Sequence, residues 1–533
     1  TELSLINKYY RPFLELVNRV LYRVVGRDPH GFHFFNILLH IINSFLVYGI
    51  IRFVLDNKGL SLATAVLFLL HPVQNEAVAC ISGISNLIFT FLCLMSFYAY
   101  LVSMHSAAGG KKLFLYSASL ILFLFALLSK EQSVILPVLI MAYELCFMEY
   151  PVKRVFKKYW RYIGGFFVIL AAYFILRKML FGFALLRPAD NQGELWMRML
   201  AIPRSLLTYL SLIFFPRGLH YYRSQDILLP VLGPLLLILL VVPIFAFLVY
   251  RTPKPQKTWM VFGLTWFMIS LAPTLNIIPL INEYSIILTA EHFLYFPLIG
   301  MLLFTMGAGH YWIGQRVKKT IPVGLIVIGV LSVIFIGFNI KQNTYWRDEI
   351  PLFERTLSFE KDFGRARFLL AKAYSAAGRY EEAIREDRKA LAIMRRYEQK
   401  AQEEAKKFYA GYMKGIYYHL GYCFDILGNP KEALAEFKNA LSLAPENGSI
   451  QYSVGLSYLK LDDIQNAITH FEKSLELNEE DLMVMSTLAV CYQDDGRYTE
   501  AERLLRTIAE RDGRSISAKR NLENFLKKKQ IGQ

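Results

Sequence analysis

The sequence predicts an all-α protein in two parts, a polytopic α-helical membrane domain followed by an α-solenoid of two-helix repeats. Apolar runs of about 20 residues, the length one helix needs to cross the hydrocarbon, recur through 34–341. Basic residues gather in the short connections between those runs. Beyond 345 the composition turns charged and alanine-rich, with a period of about 34 residues, the length of one helix-turn-helix unit. Residues 1–33 read as an extramembrane, partly amphipathic segment.

Composition narrows the class. Hydrophobic residues make up 55% and charged residues 19%, yet the net charge is +16. Multi-span proteins combine these features because Lys and Arg collect in short cytoplasmic loops and meet anionic headgroups. The partner expected from the charge is therefore membrane lipid, and no nucleic acid is expected. Cys80, Cys93, Cys146, Cys423 and Cys491 lack CxxC spacing and read as packing residues.

Ten spans are expected, at 34–55, 61–79, 87–104, 113–128, 133–147, 162–181, 228–250, 259–280, 293–313 and 321–340. The basic loops (Arg52 with Lys58, Lys111 with Lys112, PVKRVFKKYWR from Pro151, RTPKPQK from Arg251, QRVKK from Gln315) place one side in the cytoplasm. Parity holds if 199–215, which contains Pro203 and Arg204, is re-entrant or interfacial. Everything after Lys341 then lies outside the cytoplasm. So does Thr1, and a parent with a cytoplasmic start needs one further span, eleven in all.

Ionisable residues at the ends of spans are costly and point to function. Three external loops carry them: HPVQNEA from His71 with Asn75 and Glu76, SKEQ from Ser129 with Lys130 and Glu131, and AEHFLYFP from Ala290 with Glu291, His292 and Tyr295. Taken singly, each could be an interfacial anchor whose polar tip reaches the headgroups. Together they offer carboxylates and cations to one membrane face. Asn36, His40 and Asn43 share a helical face and are expected to form interhelical hydrogen bonds.

The repeat register is explicit. A unit at 414–447 places Tyr417, Leu420, Gly421, Phe424, Ala433, Phe437, Ala440 and Pro445 at the eight positions of the tetratricopeptide (TPR) pattern. Units at 364–397, 448–481 and 482–515 match as well, within a repeat region of 345–515. Residues 345–362 read as the second helix of a partial leading unit, 398–413 as a helical extension, and 516–533 as a capping helix with a basic tail. A TPR array is a binding surface for a protein or peptide and has no chemistry of its own.

YRP at Tyr10–Pro12, GFHFFNILLHIIN from Gly31, HPVQNEAVACISG from His71, LLSKEQSVILP from Leu127, LAPTLNIIPL from Leu271 and AEHFLYFPLIG from Ala290, followed by the repeats, are the stretches that carry a family resemblance. In that order the chain resembles the transmembrane and TPR-containing O-mannosyltransferases and their bacterial counterparts, members of the GT-C glycosyltransferases. The resemblance implies a GT-C-like membrane domain that moves a mannose-like hexose from a polyprenyl-phosphate donor to Ser or Thr of an exported protein, with the acceptor held by the TPR array. It implies a carboxylate to take the acceptor proton and cations to hold the leaving phosphate. Glu76, Lys130 and Glu131 are the expected catalytic residues, and Arg11, His71, Glu291, His292 and Tyr295 the expected donor or phosphate ligands.

No His, Asp or Glu set has metal-ligand spacing, so no metal ligands are assigned, although a divalent metal is compatible with the family. The expected location is the bacterial cytoplasmic membrane with the TPR domain outside the cytoplasm, the alternative being the endoplasmic reticulum membrane with the repeats in the lumen. Two features depart from the family pattern. Its acidic motif lies in a first external loop, upstream of Thr1, and an Arg-x-Asp element after the HP motif is replaced here by Gly83, Ile84, Ser85 and Asn86. The competing reading is a non-catalytic, membrane-anchored TPR scaffold for envelope or secretory proteins.

Overall fold

The computed structural model describes residues 10–107, 109–147, 152–181, 192–221, 223–224, 232–275, 287–313, 320–400, 403–512 and 516–531. It divides into two compact units, Thr1–Phe359 and Glu360–Gln533. Both are helical. The β structure among the described residues is one antiparallel pair, Arg223–Ser224 with Ile287–Thr289.

Among the described residues of the first unit, six helices are long and apolar enough to cross a membrane: Pro29–Leu55, Ile81–His105, Gly110–Leu127, Trp160–Leu180, Leu232–Arg251 and Gly324–Tyr345. A seventh candidate is the pair Lys58–Leu70 and Pro72–Ala79, bent by 49°. The ten expected are therefore more than the described helices reach by length, with residues 276–280 of one expected span lying outside the described residues. The segments expected at 133–147, 259–280 and 293–313 contain the shorter helices Leu136–Phe147, Gln256–Leu271 and Pro297–Trp312, of 12, 16 and 16 residues. Proline explains where they stop. Pro137 and Pro297 stand at helix starts and Pro273 in a 3-10 turn, because proline lacks the N–H that a helix interior needs. Between 192 and 214 the chain is one helix containing Pro203, and its apolar part, Ala201–Phe214, is shorter than a span. At the amino end, Pro12–Val25 is a separate helix, and the first candidate span begins at Pro29, inside the segment expected to be extramembrane.

Leu87, Phe97, Tyr100, Phe123, Leu139, Trp266, Leu298 and Leu303 form the fully buried centre of this unit. Outward faces are also apolar: Leu232–Arg251 exposes Leu236, Leu239 and Leu240, as a helix surrounded by lipid does. Gln256–Leu271 and Pro297–Trp312 meet at Gly263 and Gly300, where a Cβ on either glycine would lie 2.5 Å from the carbonyl oxygen of the other. Small residues permit such close backbone contact between membrane helices. Asn36 donates to the carbonyls of Val78 and Cys80, Asn43 to that of Leu87, and His40 Nε2 to that of Leu69, which are the expected interhelical bonds.

The second unit is built from helix pairs: Gly364–Ala376 with Tyr380–Lys400, Glu403–Ile426 with Pro430–Leu443, Gly448–Leu459 with Ile464–Leu477, and Leu482–Asp494 with Tyr498–Arg511. Ile516–Ile531 closes the array and buries Phe525. The extension expected at 398–413 is the lengthened end of one helix and the lengthened start of the next, the two running to 21 and 24 residues. Three of the four intra-pair turns carry a left-handed glycine, Gly378, Gly428 or Gly496; Asp462 takes the same conformation in the other. Glu349–Phe359, expected as part of a leading repeat, groups with the first unit.

Candidate functional site

The polar ends of the short helices converge. His71 terminates Lys58–Leu70 and starts a 3-10 turn; its Nδ1 accepts from Val73 N and its Nε2 donates to Ile213 O, at 3.2 and 2.9 Å. The next element, Asn75–Ala79, presents Glu76. Gly110–Leu127 ends in a turn that brings Lys130 and Glu131 inward before Leu136 resumes a helix. Glu291 and His292 occupy the 3-10 turn Glu291–Leu294 ahead of Pro297.

These groups pair across the chain. The Arg11 guanidinium donates to Glu131 Oε2 from Nε at 3.0 Å and from Nη2 at 2.7 Å. Glu76 accepts from His292 Nδ1 at 2.8 Å and from the His292 backbone N–H at 2.9 Å. Glu291 accepts from Arg223 Nη1 and from the His220 backbone N–H, both at 2.8 Å. Lys130 Nζ donates to Asn86 Oδ1 and lies 5.4 Å from the Phe89 ring centre. Glu76, Lys130, Glu131 and Glu291 are each at most 5% exposed.

The pairs form one electrostatic cluster. Lys130 feels Arg11, Glu131 and Glu76, and Glu76 in turn feels Arg223. Burial pulls the Lys130 ammonium down to about 7, with Arg11 pulling the same way and the two carboxylates opposing. Burial pushes the Glu291 carboxyl up to about 7 against the pull of the Arg223 guanidinium. A buried ammonium beside paired carboxylates can receive a phosphate, which supplies the negative charge the ammonium needs.

A family model for dolichyl-phosphate-mannose-protein mannosyltransferase matches residues 11–176, the stretch that holds Arg11, Glu76, Lys130 and Glu131. Tetratricopeptide models match 366–401, 415–447 and 458–521. In both parts the chain is similar to the transmembrane and TPR-containing protein O-mannosyltransferases. Protein O-mannosyl-transferase Tmtc1 of Drosophila melanogaster is 24% identical over 471 residues, covering 70% of this chain and 53% of that protein. Protein O-mannosyl-transferase TMTC1 of Mus musculus is 36% identical over 109 residues, 20% of this chain and 12% of its own length. The chain thus spans about half, or less, of the length of these relatives. Among solved structures, YrrB, titled a TPR protein with an unusual peptide-binding site, is 22% identical and covers 33% of this chain and 84% of its own, with a TM-score of 0.28.

Of the residues expected from this family, the structure brings together Arg11, Glu76, Lys130, Glu131, Glu291 and His292. Two sit elsewhere in the bundle. The Tyr295 phenol is fully buried between His40 Nδ1 and Asn43 Nδ2, at 2.7 and 3.2 Å, and both His71 nitrogens are engaged with backbone. Sequence reasoning missed Arg223, His220 and the lysine's acceptor Asn86. It also missed Arg177, which is 1% exposed in a candidate span and donates weakly to Tyr173. Only Arg177 had a usable signal, a cation late in an apolar run. Among the described residues, the trio able to share a cation is Asp387, His419 and Cys423 of the repeat unit, where hydrogen bonds to Asp387 and Ser375 already occupy both His419 nitrogens.

Proposed function

We propose that the membrane unit is a GT-C type glycosyltransferase that moves a mannose-like hexose from a polyprenyl-phosphate donor to a Ser or Thr hydroxyl of an exported protein. The observation that carries this reading is the buried cluster of three carboxylates and their cations where the short helices stop. In the reaction, the acceptor oxygen attacks the anomeric carbon, the bond from that carbon to the phosphate oxygen breaks, and the phosphate leaves with the electron pair. Glu76 takes the hydroxyl proton, held in place by the two His292 N–H groups. Lys130, Arg11 and Arg223 receive the developing phosphate charge, with Glu131 fixing the Arg11 fork.

The repeats bind the acceptor on the non-cytoplasmic side of a bacterial cytoplasmic membrane or in the endoplasmic reticulum lumen, the compartment that holds exported acceptors. A second reading, an ion-pair network that only braces a membrane-anchored scaffold, draws support from the pairing of every carboxylate in the cluster. Transfer of labelled sugar by the intact gene product separates the two. Under the enzymatic reading, Glu76→Gln and Lys130→Ala each lower the rate by about 10²–10⁴ while the protein still inserts. Unchanged rates in both variants remove these residues from the chemistry and leave the scaffold.

A further inference from the structure

Beside the charged cluster, on the other side of the turn that carries Glu76, lies a cavity of a different character. Its volume is about 350 Å³, and it is lined by Pro29–Leu55, by the segment 71–79 and by the carboxyl end of Thr320–Tyr345 through Trp346. Among the described residues, no Asp, Glu, Lys or Arg lines it. Four amides, Gln74, Asn75, Asn339 and Asn343, stand among its polar groups, while Ile37 and Trp346 supply apolar surface. Three imidazoles also reach the wall: protein partners engage both ring nitrogens of His40 and of His71, and His33 is the third.

Two of these amides are incompletely satisfied. Gln74 and Asn75 are 2% and 9% exposed, yet Gln74 Oε1 and Asn75 Oδ1 have no hydrogen-bond partner among the described residues. Their nitrogens are engaged, Gln74 Nε2 with Tyr295 O at 3.4 Å and Asn75 Nδ2 with Asn343 Oδ1 at 2.6 Å. Buried polar atoms without partners are uncommon in native structures and costly. A ligand that fits this wall donates hydrogen bonds, needs no Asp, Glu, Lys or Arg as a partner and offers an apolar face to an indole. A hydroxyl also tolerates either orientation of an amide, because it both donates and accepts.

We infer that this cavity is a subsite for one neutral pyranose ring, with Gln74 and Asn75 accepting from its hydroxyls and Trp346 covering a C–H face. The inference rests on the proposed transferase reading. Asn75 and Glu76 are consecutive in one short helix, so the turn that would hold the sugar also carries the base. The volume lies near the lower end of the range for small-molecule sites, matching one ring better than an extended peptide. The ring could arrive on a lipid phosphate or as free sugar.

Binding to the intact protein in lipid nanodiscs tests the assignment with four probes: polyprenyl phosphate, polyprenyl-phosphate mannose, methyl α-mannoside and a Thr-containing peptide. Asn343→Ala and Trp346→Ala, at partly exposed positions, are compared with Gln74→Leu, each checked for wild-type insertion and melting. The expected result is about a tenfold loss of affinity for the mannosylated lipid, the equivalent of one well-made hydrogen bond, with affinity for the sugar-free lipid unchanged. Wild-type binding of methyl α-mannoside that the variants lose identifies free sugar as a source; its absence alongside the lipid effect identifies the lipid-linked one. Equal loss for both lipids, no loss for either, or loss confined to the peptide overturns the subsite and leaves the transferase reading standing. Failure of the wild type to bind either lipid overturns both.

Discussion

In the membrane unit, Glu76, Lys130, Glu131, Arg223 and Glu291 are each at most 8% exposed, whereas in the repeat unit pairs such as Lys473–Glu476 and Arg506–Glu502 lie at the surface. A surface pair contributes little, because water and salt already screen it. A buried pair must recover a desolvation cost of several kcal/mol per ion. Buried ion pairs are therefore weak evidence for stability, and their concentration at one end of the bundle fits a site selected for chemistry. Among the described residues the repeats hold one exception, Asp387, fully buried against His419 at 2.6 Å.

The sharpest way to break this contrast is to remove one partner. Arg223→Met leaves Glu291 buried without its cation and should destabilise the membrane unit by about 3–5 kcal/mol, with part of the loss recovered in Arg223→Met/Glu291→Gln. Thermal melting in detergent reads both, and a double variant no more stable than the single one ends the comparison. Close packing gives a smaller effect. Gly300→Ala would force a Cβ to within 2.5 Å of Gly263 backbone and should cost more than Gly455→Ala, which meets the Phe471 ring at 2.6 Å. A ring can turn where backbone cannot, so about 1–3 kcal/mol is expected for the repeat variant; equal costs by melting would refute the ranking.

A third test is one of pH. Burial raises the Asp387 carboxyl to about 6 from an ordinary value of 3.8, against the pull of His419 and with a minor push from Glu386. A carboxyl raised on folding binds its proton more tightly in the folded state. Its contribution is present in full below about pH 4 and is lost as pH rises through about 6. Asp387→Asn should flatten that decline in the protection of Tyr380–Lys400 from hydrogen exchange, and an unchanged slope would show that another group sets it.

Much of this was legible in the sequence. The 34-residue register located Gly421 and Gly455, and the aromatics it names, Phe437 and Phe471, are the ones that press on them. Six apolar runs became crossing-length helices. Span counting overshot because hydropathy does not register where a helix stops: residues near Pro137, Pro273 and Pro297 are apolar enough to extend a run but cannot extend a helix. The loops with Glu76, Lys130 and Glu291 were visible as charges against apolar flanks. Arg223 was not, since it meets Glu291 from 68 residues away through a two-residue strand, a pairing no local pattern encodes.

Three pairs of the buried cluster join residues 120, 216 and 68 positions apart: Arg11 with Glu131, Glu76 with His292, and Arg223 with Glu291. Synthesis proceeds from the amino end, so Glu76 leaves the ribosome long before the imidazole that will donate to it. For that interval its carboxylate needs water or a temporary companion. Biogenesis of this protein should accordingly be more sensitive than that of an uncharged bundle to the insertion machinery that shelters unfinished segments at the bilayer edge.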